Sequence, residues 1–359
     1  MQVLVLPVSG GGFATQLGIL ELLCEINYVP DITLASSGGN VAAYIAAAAD
    51  WKWPGIERIS KELTQSLFIK PWSSMGALSS VIGYFKGDIF EKGDGVVEFL
   101  SEYFTEESVS KYEIWTGTYN KDRRKTRLFC NRGSEDTIMD ASCIDKDLTQ
   151  SMDPVFAGGN IDMISQASIA SASIPALVPP QKIMGEDYID GGVSGASPLT
   201  LMREPILKRA RECWNGGPVL HVVYVNSVDL SETNVLPINN ILDTWKQAAK
   251  NMIRFQTVID RLSGYELLGA EKEEINSEEF ACNSENMDRV KQIHAIAKCS
   301  MLEIYPTRNF DIELSKFSGE DVIKAIRGSY KNCRCRLWWA SGDFNDVVKD
   351  IAGKCSAGE

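Results

Sequence analysis

Histidine is nearly absent from this chain: 359 residues contain two, His221 and His294. A Ser-His-Asp triad needs an imidazole on an accessible loop beside its serine. His221 lies in "PVLHVVYVN", which reads as a buried strand, and His294 in "VKQIHAIAK", which reads as a helix. Both read as structural, so activation of a nucleophile by histidine is not expected. Positive charge is also scarce, with 36 Lys and Arg against 48 Asp and Glu and a net charge of -12. That balance excludes a nucleic-acid partner, which demands a basic face. It also excludes broad electrostatic adhesion to anionic membranes, leaving local apolar contact with lipid open.

Long hydrophobic runs are missing too. The run "VAAYIAAAA" falls far short of the ~20 residues that span a bilayer. The start, "MQVLVLPVSGGG", has no basic segment and too short an apolar stretch for a signal peptide. The nine cysteines are odd in number and irregularly spaced. Cys333 and Cys335 have no second pair to complete a zinc pattern. Reduced thiols are expected, in a soluble cytoplasmic protein able to sit at a membrane periphery. The acidic run "AEKEEINSEEF" lacks the alternating ligands and central glycine of a calcium loop, and reads as a solvated face or loop. No metal or cofactor is expected.

What is present has the rhythm of an α/β protein. Val3 to Val8 is a continuous apolar, β-rich run that feeds into Gly10, Gly11 and Gly12. "QLGILELLCEI" has helical spacing, "DITLAS" is a second strand, and "GNVAAYIAAAAD" a second helix. Ligands of such sheets bind at the carboxyl ends of the strands. Helices are expected near 54–67 and 93–104. "YEIWTGTYN" and "KTRLFCN" read as a strand pair joined by the charged turn "KDRRK". "MISQASIASASIP" reads as a small-residue helix stopped by Pro175, and the region from about 239 to 300 as mainly helical.

Four segments carry chemistry. "ASSGG" nearly fits the G-x-S-x-G nucleophile elbow around Ser37, with Ala35 in place of the first glycine. "SGGGFATQLGIL" sets three glycines after the first strand, where backbone N–H groups can approach a developing anion unobstructed by a Cβ. A phosphate-binding loop is the rival reading, but no Lys-Ser/Thr pair follows. "YIDGGVSGASP" places Asp190 between a strand and two glycines, as a strand-end carboxylate or simply a turn. "ASASIPALVPP" is a small-residue helix end that permits close backbone packing.

Together, in this order, these segments resemble the patatin-like phospholipase family over roughly residues 1–200, and loosely "KGDIFEKGDGVVEFLSEYF". The resemblance implies a three-layer α/β/α fold with a mainly parallel central sheet, inserted helices and a helical C-terminal region. Residues 1–230 would form the catalytic core, with an inserted apolar segment at about 54–105, and residues 231–359 a mainly helical extension packed on it. It further implies hydrolysis of phospholipid or lysophospholipid acyl esters, without a metal, by a Ser–Asp dyad. Ser37 would be the nucleophile and Asp190 its general base; Gly10, Gly11, Gly12 and the N–H of Gly38 would form the oxyanion hole. Transient contact with a membrane or micelle fits such substrates.

The sequence departs from the family at several places. Ala35 replaces a glycine. Ala14 and Thr15 stand where a basic residue and another glycine usually follow the loop, and Ser197 precedes Pro198 where asparagine is common. These departures keep open an inactive fold retained as a structural or interaction protein. The segment holding Phe68, Trp72, Met75, Leu78, Val81, Ile82, Tyr84 and Phe85 either packs on the core or forms a lid or acyl channel. Trp51 and Trp53 are expected in the core.

Overall fold

The computed structural model describes residues 1–71, 90–92, 95–103, 105, 107, 111–139, 154–175, 178–194, 197–212, 220–228, 241–268, 275–308, 310, 312 and 317–340. In chain order the strands are β1 (Gln2–Leu6), β2 (Ile32–Ser36), β3 (Ile69–Pro71), β4 (Phe90–Lys92), β5 (Glu113–Asn120), β6 (Lys125–Cys130), β7 (Val155–Phe156), β8 (Gln181–Ile183), β9 (Glu186–Asp190), β10 (Leu220–Val225), β11 (Ile275–Ala281), β12 (Cys299–Pro306) and β13 (Cys333–Ala340). The helices are α1 (Phe13–Glu25), α2 (Gly38–Ala48), α3 (Trp53–Lys61), α4 (Gln65–Phe68), α5 (Gly95–Tyr103), α6 (Ile161–Ser171), α7 (Pro198–Glu212), α8 (Ile241–Leu268), α9 (Ser284–Ile296) and α10 (Gly319–Lys331).

The sheet grows outward from β1, which lies parallel between β2 and β10. β5 continues it in parallel beyond β2, and β12 beyond β10. Alternation along β1 explains why so apolar a strand can be central. Leu4 and Leu6 join a core with Leu17, Tyr44, Ile56 and Ile326 on one face. Val3 and Val5 join Met202, Ile206 and Leu267 on the other. Helices therefore cover both faces, and the fold is the mixed α/β, mainly parallel three-layer architecture the sequence implies. The reversal of strand order at β1 opens a crevice at its carboxyl end, the usual ligand position in such sheets. Among the described residues, no helix is long and apolar enough to cross a membrane.

The expected pair at 113–130 is the antiparallel hairpin β5–β6, and β9 runs antiparallel along the end of β5, pairing Asp190 with Thr118. Trp51 is buried, edge-on to Tyr112. The small-residue helix ends at Ser171, four residues before Pro175. Of the aromatic segment read as a lid or channel, residues 72–85 lie outside the described residues.

The C-terminal region differs from its sequence reading. Besides α8, α9 and α10 it supplies β11, β12 and β13, which extend the same sheet. The acidic stretch Ile275–Ala281 is an edge strand rather than a helix or loop, with Ser277, Glu278, Glu279 and Ala281 placed for solvent or ion pairs. Charge along an exposed edge blocks pairing with other chains. The expectation of reduced thiols is also corrected: Cys282 and Cys335 form a disulfide, with Cα atoms 5.7 Å apart. The antiparallel register of β11 and β13 brings them together, which no local spacing signals. Among the described residues, Cys24, Cys130, Cys299 and Cys333 form no disulfide.

Arg261 of α8 clamps Glu303 of β12 with three hydrogen bonds of 2.7–3.1 Å. The Glu303 side chain is fully buried, so removing its cation strands a carboxylate in the core. Burial already raises the Glu303 pKa against the pull of Arg261. Arg261→Met is therefore expected to cost about 3 kcal/mol at pH 8 and clearly less at pH 5, where Glu303 can protonate. Urea denaturation at the two pH values measures this.

Candidate active site

Ser37 sits at the hinge between β2 and α2 with φ 53° and ψ -133°, a region that L-residues rarely occupy. This is the strained turn expected of a nucleophile elbow. The following glycines are required by contact, not freedom. A Cβ on Gly38 would lie 2.3 Å from the Gly10 carbonyl oxygen, and one on Gly39 would lie 2.2 Å from that of Leu6. Ala35 departs from the motif without penalty, because it lies in a regular strand and its backbone keeps negative φ.

The Ser37 hydroxyl donates to Asp190 Oδ2 at 2.7 Å, joining positions 153 residues apart. The other carboxylate oxygen accepts the Gly192 N–H at 2.8 Å. Gly191 must be glycine, since a Cβ there would be 2.4 Å from the Gly117 carbonyl oxygen. Both side chains are buried, each 2% exposed. Burial pushes the Asp190 carboxyl from 3.8 up to about 6, against the pull of the hydrogen bonds from Ser37 and Gly192.

The glycine loop forms a single 3₁₀ turn leading into α1. The Gly12 N–H donates to the Ser9 carbonyl at 2.8 Å, so Gly12 shapes the loop and its N–H is not free for an oxyanion. The Gly11 carbonyl accepts the Ile312 N–H at 3.3 Å, which clamps the Gly11–Gly12 peptide at both ends. The Phe13 N–H donates to the Gly10 carbonyl. The loop carbonyls of Gly10 and Gly11 are thus taken up by Phe13 and Ile312, and the first N–H groups of such a turn have no partner within it. Gly10 has φ 51° and a Cβ there would meet nothing within 4 Å, so its outer side is open. Ala14 and Thr15 are fully buried in the first turn of α1.

Three residues of this site escape motif reading. Ser171, at the end of α6, accepts the Ser37 N–H at 2.8 Å and donates to the Gly117 carbonyl at 2.7 Å. Ser168, one turn earlier, accepts from the Asn40 amide. Asn40 in turn accepts from Thr116 at 2.7 Å. The Asp190 N–H also donates to the Ser173 carbonyl at 3.0 Å. The small-residue helix and the residues after it thus brace Ser37 and Asp190 against each other. The only available signal was the i, i+3 spacing of serines in "SQASIAS", which also suits plain packing.

The histidines stand apart. His221 pairs with Gln2 at the amino end of the strands, while Ser37 lies beyond Ala35, which pairs with Leu6. Four strand residues separate those levels, roughly 13 Å along the sheet. His221 stacks on His294 with ring centroids 4.4 Å apart, and its Nδ1 meets Ser300 Oγ at 2.8 Å. Burial pushes both imidazoles down, to about 4 and about 3, so both stay neutral.

Ser171→Ala leaves the buried Ser37 N–H without its acceptor. It is expected to cost about 2 kcal/mol of stability and roughly tenfold in turnover as the elbow relaxes. Urea denaturation alongside steady-state ester hydrolysis tests both, and unchanged turnover would refute the bracing role.

Comparison with known proteins places this geometry in context. No curated protein matches the chain. Among solved structures it is similar to the crystal structure of VipD from Legionella pneumophila, at 14% sequence identity and a TM-score of 0.34. That match covers 92% of this chain, which spans 65% of the length of the VipD chain. The Patatin family, described as patatin-like phospholipase, matches residues 6–203, more than half of the chain and every segment from the glycine loop to Asp190. This chain belongs to the patatin-like phospholipase family.

Proposed function

We propose that the protein hydrolyses carboxylic esters of phospholipids or lysophospholipids by a Ser37–Asp190 dyad, through an acyl-enzyme intermediate. The observation that carries this reading is the 2.7 Å hydrogen bond from Ser37 Oγ to a buried carboxylate, on a backbone bent to φ 53°. The family supports the lipid ester class. As Ser37 Oγ attacks the ester carbonyl carbon, its proton passes to Asp190 Oδ2 and the carbonyl π electrons move onto oxygen. On this reading the N–H groups of Gly10, Gly11 and Gly38 donate to that oxyanion. Collapse breaks the bond to the alcohol, which takes the proton from Asp190. Water then attacks the acyl-enzyme and gives a proton to Asp190; collapse breaks the acyl–Oγ bond, the fatty acid leaves, and Asp190 returns the proton to Ser37 Oγ.

A fluorophosphonate probe is expected to add once to the wild type, as read by intact mass, and not to Ser37→Ala. Asp190→Asn, lacking the base, should label at least 100-fold more slowly. A folded wild type that takes no label would favour the inactive structural or interaction protein.

Because Asp190 must be ionised to accept the proton, kcat/KM is expected to rise with pH through about 6 and then level. A limb near the ordinary value of 3.8 would contradict the burial argument. Stability runs the other way. A carboxyl raised in the folded state stabilises fully below its unfolded value, and that contribution is lost as pH rises through about 6. Asp190→Asn should therefore gain on the wild type between pH 4 and 6 and keep an advantage of about 3 kcal/mol above it, with activity abolished. Denaturant melts of both proteins across this range measure the gain.

A further inference from the structure

We propose that the hydroxyl of Ser9 is a side-chain donor in the oxyanion hole, a catalytic residue beside the backbone N–H groups of the glycine loop and Gly38. Two independent observations carry this. Ser9 Oγ is buried, at 3% exposure, and among the described residues it has no hydrogen-bond partner. Ser9 Oγ also lies 2.6 Å from the place a Cβ on Gly38 would occupy, a point whose other near neighbours are the Gly10 carbonyl oxygen at 2.3 Å and Gly10 N at 3.1 Å. The unpartnered hydroxyl therefore lies against Gly38, the residue that follows Ser37.

A buried hydroxyl left without a partner is costly and rare, and those that persist call for a reason. Here the reason is functional: the missing acceptor is supplied by the substrate. The carbonyl oxygen of the ester becomes an anion as Ser37 attacks, and Ser9 donates to it while keeping its own proton. A donor already fixed and dehydrated strengthens this contact in the transition state more than in the ground state. The backbone holds the side chain in place, because the Ser9 carbonyl accepts the Gly12 N–H and the residue caps the 3₁₀ turn. A serine at this point adds a donor to a loop that has Ala14 where a basic residue is usual. The inference rests on Ser37 being the nucleophile.

The test is steady-state kinetics of wild type, Ser9→Ala and Ser9→Cys on a p-nitrophenyl ester and on its thiono analogue. In the thiono ester the carbonyl oxygen is sulfur, a poor hydrogen-bond acceptor. Ser9→Ala is expected to lower kcat on the oxygen ester about 100-fold with KM within twofold, and to lower it far less on the thiono ester. Ser9→Cys, a near-isosteric weak donor, should fall between. The ratio of the two substrates within one variant does not depend on how much enzyme is folded, so a destabilised variant still gives an answer. If even Ser9→Ala fails to fold, the Ser9→Cys ratio decides. Equal losses on both substrates, or turnover within twofold of wild type, would overturn the assignment. Failure of the dyad reading looks different, because then fluorophosphonate labelling of the wild type itself would be absent or would survive Ser37→Ala.

Discussion

The hydrogen bond from Ser37 to Asp190 depends on a carboxylate held away from water, and much of the architecture exists to keep it there. Asp190 lies at the end of β9, a strand running antiparallel to the parallel strand β5, so its side chain arrives from the opposite chain direction to Ser37. β5 pairs with both β2 and β9 and is the ruler that sets their separation. Gly117 on that ruler touches both partners: its carbonyl accepts from Ser171, which holds the Ser37 N–H, and it packs against Gly191 beside Asp190. A side chain on Gly191 would push the carboxylate off its acceptor position. The glycines after Asp190 are therefore steric requirements of the dyad, beyond their role as a turn.

The C-terminal region enters the site through one peptide. Ile312 follows β12 and donates its N–H to the Gly11 carbonyl, while its own carbonyl oxygen lies 2.2 Å from where a Cβ on Gly11 would stand. The glycine loop is thus pressed between α2 on one side and residues after β12 on the other. This ties Ile312, from the last third of the chain, to the glycine loop of the candidate site. The sheet carries that connection, since β12 pairs with β10 and β10 with β1, the strand that leads into the loop.

The parts legible in the sequence were those written in local patterns. The run at Val3 to Val8 could only be a doubly covered strand, and the hairpin at 113–130 announced itself through a charged turn between β-rich segments. Ser37 and Asp190 were legible only as members of an ordered set of motifs. The brace of Ser168, Ser171 and Asn40 was not, because a serine that accepts a backbone N–H looks the same in sequence as a serine that merely packs closely. The edge strand at Ile275–Ala281 was lost in its charge: SEEF alternates poorly, and solvation of both sides is what an edge strand needs. The spending of the Gly12 N–H on Ser9 is a property of the turn type, which three consecutive glycines leave undetermined.

The same geometry accounts for a candidate site without histidine and with Ala14 buried in the first turn of α1. In a triad, attack separates charge, creating an imidazolium and an oxyanion together. In the mechanism proposed here the proton that leaves Ser37 would neutralise Asp190, so one negative charge would migrate from carboxylate to oxyanion and none would be created. Burial of Asp190 raises its proton affinity and favours that migration. What remains to be supplied is a resting place for one anion. Two helix starts lie side by side next to Ser37: the 3₁₀ turn into α1 and the first turn of α2, whose first residue Gly38 touches Gly10. The aligned peptide dipoles of such helix starts offer a partial positive charge without any basic side chain. A guanidinium buried at position 14 would need its own partners in the core, whereas backbone dipoles come already paired with the helices that carry them.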